Sequence, residues 1–222
     1  MKHCVNIEFS FPKEVESEII KLASILKQKF PETTYVMDGK GIFPHLTLHY
    51  MYLSEENLNK VPQLIKNLIT KYHQVKIKIG KVESYPNGIV TLTCDLNEEL
   101  KAIHEKIITV LESVRDGSTD PDFLKNLDKK PEFYKTNLKK YGHPYVLDNF
   151  RPHIALARIN KISKDELNKT TKELNNIWKP LICNLKTVKI KSWITSGGIG
   201  KTIAEFDLRF KSQLSEQIIH ST

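Results

Sequence analysis

Pro44-His45-Leu46-Thr47-Leu48 is a short apolar run opened by Pro-His, and the pattern returns 108 residues later as Pro152-His153-Ile154-Ala155-Leu156. Side chains alternate between the two faces of a strand. His45 and Thr47 therefore share one face, and Leu46 and Leu48 take the other. By the same alternation His153 and Ala155 lie together, with Ile154 and Leu156 turned towards a core. Two imidazoles, each on a strand whose opposite face is apolar, can meet across a cleft. That geometry suits acid–base chemistry at a phosphate.

Working outward, the elements around the two runs repeat in order. Residues 4–11 alternate, with Val5, Ile7, Phe9 and Phe11 against Asn6, Glu8 and Ser10, and read as a strand that Pro12 ends. Residues 13–30 have the apolar spacing of an amphipathic helix (Val15, Ile19, Leu22, Ile25, Leu26). A loop with Gly39 and Gly41 leads into the His45 strand. Ser54 then caps a helix with Glu55 and Glu56 in its first turn, running to about residue 72 with a kink at Pro62. Residues 75–84 and 89–96 form a hairpin across Pro86-Asn87-Gly88. Asn97 caps a helix over 98–114. The polar stretch 115–149 is long for a structureless loop, so short helices are expected near 123–127 and 132–139. After the His153 strand, the capping box Ser163-Lys164-Asp165-Glu166 opens a helix to about residue 178. Strands over 184–195 and 202–210 close the chain around a turn at 196–201.

Set side by side, the halves share the order helix, histidine strand, helix, strand, strand. Two such units about a pseudo-twofold would bring the histidines towards a common axis. The expected fold is α+β, one bilobal domain over 1–222 with halves roughly 1–97 and 98–211. Each of its two pseudo-symmetric lobes is an antiparallel sheet flanked by helices, facing a central groove, with exchange of strands between lobes left open.

At 222 residues and 40% hydrophobic, the chain can bury a full core. It has no run of 18 apolar residues and no apolar signal core at its start, so a soluble, cytoplasmic protein is expected. Cys4, Cys94 and Cys183 are odd in number and far apart. They read as buried reduced thiols rather than a disulfide framework or metal knuckle. A net charge of +8 admits an anionic partner. Lysine outnumbers arginine 30 to 4, however, which spreads the excess over helix faces; two of the four arginines, Arg151 and Arg158, flank the second histidine.

A neutral imidazole can take a proton from water, and a protonated one can give a proton to a leaving alkoxide. Two of them on opposite sides of a phosphodiester permit in-line displacement. Thr47, on the face of His45, could donate to a non-bridging phosphoryl oxygen, and Arg151, two before His153, could add charge. His49 continues the phase of His45 and Thr47, so it could line the cleft or sit behind it. His104 reads as boundary packing on its helix. His143 and Tyr145 lie in the loop before the second run, where a substrate contact is open. Trp193 shares a strand face with Lys189 and Lys191 and could stack on a base or simply pack on the sheet; Tyr85 is equally ambiguous. Gly197-Gly198-Ile199-Gly200-Lys201-Thr202 has the end of a phosphate loop but joins two strands, and reads as a hairpin turn. Asp116, Ser118, Asp120 and Asp122 open like a calcium loop, but Pro121 and Leu127 stand where glycine and glutamate are needed, so no metal is expected there.

The two runs resemble the His-x-Thr/Ser-x motifs (x apolar) of the two-histidine (2H) phosphoesterase superfamily, which includes RNA 2′,5′-ligase-like proteins and cyclic nucleotide phosphodiesterases. His45-Leu46-Thr47-Leu48 matches throughout, whereas His153-Ile154-Ala155-Leu156 has alanine where the family's hydroxyl belongs. Tyr141-Gly142-His143-Pro144-Tyr145-Val146-Leu147 is similar to a branch found beside phosphonate-utilisation genes. The resemblance implies a metal-independent, cofactor-free phosphodiesterase with His45 and His153 as general acid and base. The implied substrate is a 2′,3′-cyclic or 2′,5′-linked phosphodiester of an RNA end, a nucleotide or a small cyclic phosphate. A monomer away from membranes is expected. The alternative carried by Ala155 is a weakened member that binds RNA ends or nucleotides without turnover.

Overall fold

The computed structural model describes residues 2–193 and 200–208. In chain order these form β1 (Lys2–Ser10), α1 (Lys13–Lys29), β2 (Tyr35–Val36), β3 (His45–Ser54), α2 (Glu55–Leu58), α3 (Val61–Ile69), β4 (Val75–Ser84), β5 (Ile89–Cys94) and α4 (Glu98–Leu111). Then come α5 (Pro121–Leu124), α6 (Glu132–Tyr141), β6 (His153–Arg158), α7 (Lys164–Ile177), β7 (Leu181–Leu185), β8 (Thr187–Trp193) and β9 (Lys201–Asp207). The strands make two antiparallel sheets, ordered β3-β1-β8-β9 and β2-β6-β5-β4-β7. The expected α+β class with helix-flanked antiparallel sheets is what the chain adopts.

Sheet membership does not follow the chain halves. The β4–β5 hairpin of the first half joins the sheet of His153, and β8–β9 of the second half joins the sheet of His45. The single strand expected over 184–195 is in fact two, β7 and β8, separated only by Lys186. There the chain leaves one sheet, where Leu185 pairs with Val75, and enters the other, where Thr187 pairs with Ser10.

The apolar faces behave as their periodicity predicts. Val5, Ile7, Phe9, Leu46, Leu48, Met51, Leu53, Val188 and Ile190 are buried beneath α3 and α4, while Ile77, Ile79, Val90, Leu92, Ile154 and Leu156 are buried beneath α1 and α7. Burying one such side chain is worth roughly 1.5–3 kcal/mol, which makes the register of each histidine strand costly to shift. The expected kink at Pro62 is instead a break. Proline lacks the N–H that a helix interior needs and suits the first turn, so α2 stops at Leu58 and Pro62 sits in the first turn of α3. The alternation of β1 is right, but its polar face is not solvated: Asn6 and Glu8 are almost fully buried. No helix among the described residues is long and apolar enough to cross a membrane. Cys4, Cys94 and Cys183 are free and buried.

Candidate active site

The two histidines occupy matching places. Opposite β3, Ser10 pairs with His45 and Glu8 with Thr47; the ladder then skips Leu48 and resumes with Ile7 against His49. Opposite β6, Thr93 pairs with His153 and Thr91 with Ala155; Leu156 is skipped, and Val90 pairs with Ala157. A β-bulge thus falls three residues beyond each histidine, adding local twist and re-aiming the side chains that follow. The ring contacts match as well. His45 Nδ1 donates to the Phe43 carbonyl at 2.9 Å, and His153 Nδ1 donates to the Arg151 carbonyl at 2.9 Å. A carbonyl only accepts, so Nδ1 carries the proton in both rings. Nε2 is then an acceptor when the ring is neutral and a donor when it is charged.

Around these nitrogens the halves differ. Thr47 is half-buried, and its hydroxyl has no partner among the described residues. Arg151 is exposed and forms no ion pair among them. Beside Thr47, Glu8 is 1% exposed; its carboxylate accepts from Asn6 Nδ2 at 2.6 Å and pairs with Lys191 Nζ at 2.8 Å. Glu8 Oε2 lies 3.8 Å from His45 Nε2, within ion-pair distance once that ring is protonated. The matching position across from Ala155 is Thr91, fully buried, whose hydroxyl lacks a partner among the described residues.

A cavity of about 590 Å³ is lined by Thr47 from one motif and Arg151 and His153 from the other; His45 is not among its lining residues. The strand alternation that would put His49 beside His45 and Thr47 breaks at the bulge. His49 falls opposite Ile7 on the other side of the strand, is buried, and lines the cavity from there beside His143. Tyr50 takes the groove side in its place, across from Asn6, and donates to Asp120 Oδ2 at 2.7 Å. His143 and Tyr145 both line the cavity. Trp193 pairs with Cys4 in the ladder, two residues on from the pair Asn6–Lys191; its side chain lies outside the described residues, as does most of the turn at 196–201.

Burial depresses three rings here. Desolvation holds His143 at about 4, helped by the positive neighbour that a protonated His104 would be. His104 is likewise held at about 4 by desolvation, against the opposing pull of its bond to a carbonyl. Desolvation, with His143 and His104 adding to it, holds His49 well below the usual histidine range. His104 is more than boundary packing. Its Nδ1 donates to the Leu48 carbonyl at 2.7 Å, its Nε2 accepts from the Leu147 amide at 2.9 Å, and its ring stacks on Phe150 at 3.7 Å. It therefore ties the bulge of β3 to the segment that leads into His153.

Sequence reasoning singled out Tyr145 and Tyr85 but missed Glu8, Tyr50 and the phenylalanines of the cavity, Phe123, Phe133 and Phe150, and read Asp120 only as a loop acid. Glu8 carried one signal, a carboxylate in mid-strand between core residues. The calcium-like acids serve the chain itself: Asp116 accepts from the Ser54 and Ser118 amides, and Asp120 Oδ1 caps α5 through the Asp122 amide. Among the described residues no cluster of histidine, cysteine, aspartate and glutamate could hold a metal ion.

No curated protein matches the sequence at a significant level. The fold is similar to three solved structures. TT0787 of Thermus thermophilus has a TM-score of 0.62 and 16% identity over 94% of this chain and 100% of its own. A crystallised phosphoesterase has a TM-score of 0.58 and 12% identity over 94% and 99%. E. coli LigT complexed with 3′-AMP has 0.56 and 12% over 94% and 99%. The model of the 2′-5′ RNA ligase superfamily matches residues 32–193, a span that takes in both histidine motifs and the bulged strands that carry them. With motif, fold and family model in agreement, this chain belongs to the 2′-5′ RNA ligase superfamily, the two-histidine phosphoesterases.

Proposed function

We propose that this chain is a metal-independent phosphodiesterase that opens a 2′,3′-cyclic, or cleaves a 2′,5′-linked, phosphodiester of a nucleotide or RNA end. One observation carries the reading: His45 and His153 stand at equivalent places on equally bulged strands, each with Nδ1 tied back to the carbonyl two residues before it. Fixed in this way, both rings offer Nε2 for proton transfer. One takes a proton from water as its oxygen attacks phosphorus. The other, protonated, gives a proton to the departing ribose oxygen, and a phosphomonoester is left. Either ring fits either role, according to which side the leaving oxygen faces. Thr47 donates to a non-bridging oxygen, and the Arg151 guanidinium offsets the charge that builds up there. The 3′-AMP complex of LigT supports a nucleotide as the ligand.

The test is turnover of 2′,3′-cyclic nucleotides and 2′,5′-linked dinucleotides in the presence of a chelator. His45→Ala and His153→Ala are each expected to lower kcat by about 10²–10⁴-fold, with the chelator without effect. Full activity in either variant would end the proposal. Ala155 favours a second reading, in which the site holds such ends without turning them over; tight binding with no cleavage of any of these substrates would select it.

A further inference from the structure

We infer that the cleft on the outer side of α6 is a second ligand site, and that it takes a phosphomonoester on a hydroxyl-bearing body, a sugar or polyol phosphate. Glu132, Lys135, Thr136, Lys139 and Lys140 of α6 line it, facing Glu112 and Arg115 from the turn after α4, and its volume is about 580 Å³. That lies within the range of about 300–1,000 Å³ usual for small-molecule sites. None of these residues lines the cavity of the histidine motifs. The inference therefore goes beyond the phosphodiesterase reading and does not depend on it. Residues three and four apart share one face of a helix, so 132, 135, 136 and 139 turn the same way, while Tyr134 and Leu138 of α6 are buried.

Charge selects one end of the ligand. Four cationic side chains against two carboxylates leave the cleft at +2, which matches the charge of about −1.5 to −2 on a phosphomonoester. Lysines in the last turn of a helix suit its dipole. That accounts for Lys139 and Lys140, but not for Lys135 or for Arg115, one of four arginines in the chain. Arg115 is held in place: its side chain is 13% exposed, and its Nη2 donates to the Lys139 carbonyl at 2.8 Å. Its Nη1 is buried without a partner among the described residues. A guanidinium has five N–H donors, and this one keeps capacity that the chain does not use. The ion pairs inside the cleft are long, 3.7 Å from Arg115 to Glu112 and 4.0 Å from Lys135 to Glu132, and among the described residues no carboxylate pairs with Lys139 or Lys140.

The carboxylates select the other end. A bare phosphate gains nothing from Glu112 and Glu132, whose side chains are 47% and 84% exposed. An ionised carboxylate only accepts, so hydroxyl groups on the ligand are what these two can hold. The Thr136 hydroxyl adds a donor and an acceptor beside them. No aromatic or aliphatic side chain lines the cleft, and a nucleobase would find no ring to stack on. Phosphate against the lysines and Arg115, with hydroxyls against the glutamates, uses both signs of charge that the cleft presents.

The experiment is an amide NMR titration of the full chain with glucose 6-phosphate, inorganic phosphate and glucose, at an ionic strength fixed with sodium chloride. Glucose 6-phosphate is expected to shift the signals of 112–115 and 132–140 and to bind there about tenfold more tightly than inorganic phosphate. Glucose alone is expected to leave these signals in place. Lys135→Gln combined with Lys139→Gln should weaken glucose 6-phosphate at these signals by about tenfold. The response of 45–47 and 151–153, which reports on the histidine motifs, should not change in that variant. Glu112→Ala combined with Glu132→Ala should remove the advantage over inorganic phosphate without weakening phosphate itself. All four positions are on the surface, and the undisturbed remainder of the spectrum checks that each variant folds. Absence of shifts at 112–115 and 132–140 overturns the site, as does binding that the lysine changes leave intact. Equal affinity for glucose 6-phosphate and inorganic phosphate overturns the assignment to a sugar or polyol phosphate.

Discussion

Glu8 and Thr91 occupy the same ladder position in the two sheets, one beside Thr47 and the other beside Ala155, and they make the halves chemically unequal. Glu8 is a buried carboxylate matched to the Lys191 ammonium. Removing one member of such a pair leaves the other charge without compensation. Glu8→Gln is expected to cost roughly 3–5 kcal/mol in urea denaturation, and Lys191→Met added to it should restore most of the loss. Additive effects of the two changes would show that the pair is not coupled. On the other side, Ala155→Ser puts a hydroxyl where the first motif has Thr47 and gives the Thr91 hydroxyl, without a partner among the described residues, a cross-strand neighbour. That variant should raise kcat, whereas Thr47→Ala should lower it by about 10²–10³-fold. A fall in kcat for Ala155→Ser would mean that position 155 does not face the phosphate.

Among the elements, the bulges decide most. A bulge leaves an extra residue outside the ladder, and in β3 the carbonyl of that residue, Leu48, is taken by His104 of α4. The other nitrogen of His104 holds the amide of Leu147, whose φ of +54° is uncommon for a residue with a branched side chain. His104→Leu keeps the bulk but leaves both backbone groups without a partner. Unsatisfied buried groups cost about 1–3 kcal/mol each, so a drop in this range or above is expected, with weaker cyclic-nucleotide turnover because both motifs are anchored there. The β4–β5 turn is as tightly determined. Gly88 has φ +80°, and a Cβ there would collide with the Ile159 carbonyl oxygen, a backbone atom that cannot step aside. Gly88→Ala should destabilise the fold by several kcal/mol and disturb the neighbouring cavity residues Tyr85, Asn87 and Ile89. An unchanged melting temperature would contradict this packing.

Across the whole molecule, the buried imidazoles make stability depend on pH. His104 and His143 sit near 4 in the folded chain against about 6.5 when unfolded. Between those values the unfolded chain binds more protons, so stability is full above pH 6.5 and is lost as the pH falls towards 4. For the almost wholly buried His104 the loss is roughly 3 kcal/mol. The urea midpoint should therefore fall between pH 7 and 4.5, and more shallowly in His104→Gln; a flat profile in the parent protein would refute the linkage. Much of this molecule was legible from the chain alone. Alternation placed Ile154 and Leu156 in the core and His153 outside it. Helical spacing and caps such as Ser163 marked the helices, because those signals act within a few residues. Glu8 against Lys191, the split of 184–195 between two sheets, the displacement of His49 at the bulge, and the cavity walled by 120–150 were not legible. Each depends on which strands pair and in what register, and pairing is settled by burying the apolar faces of the whole chain at once, which no local stretch of sequence records.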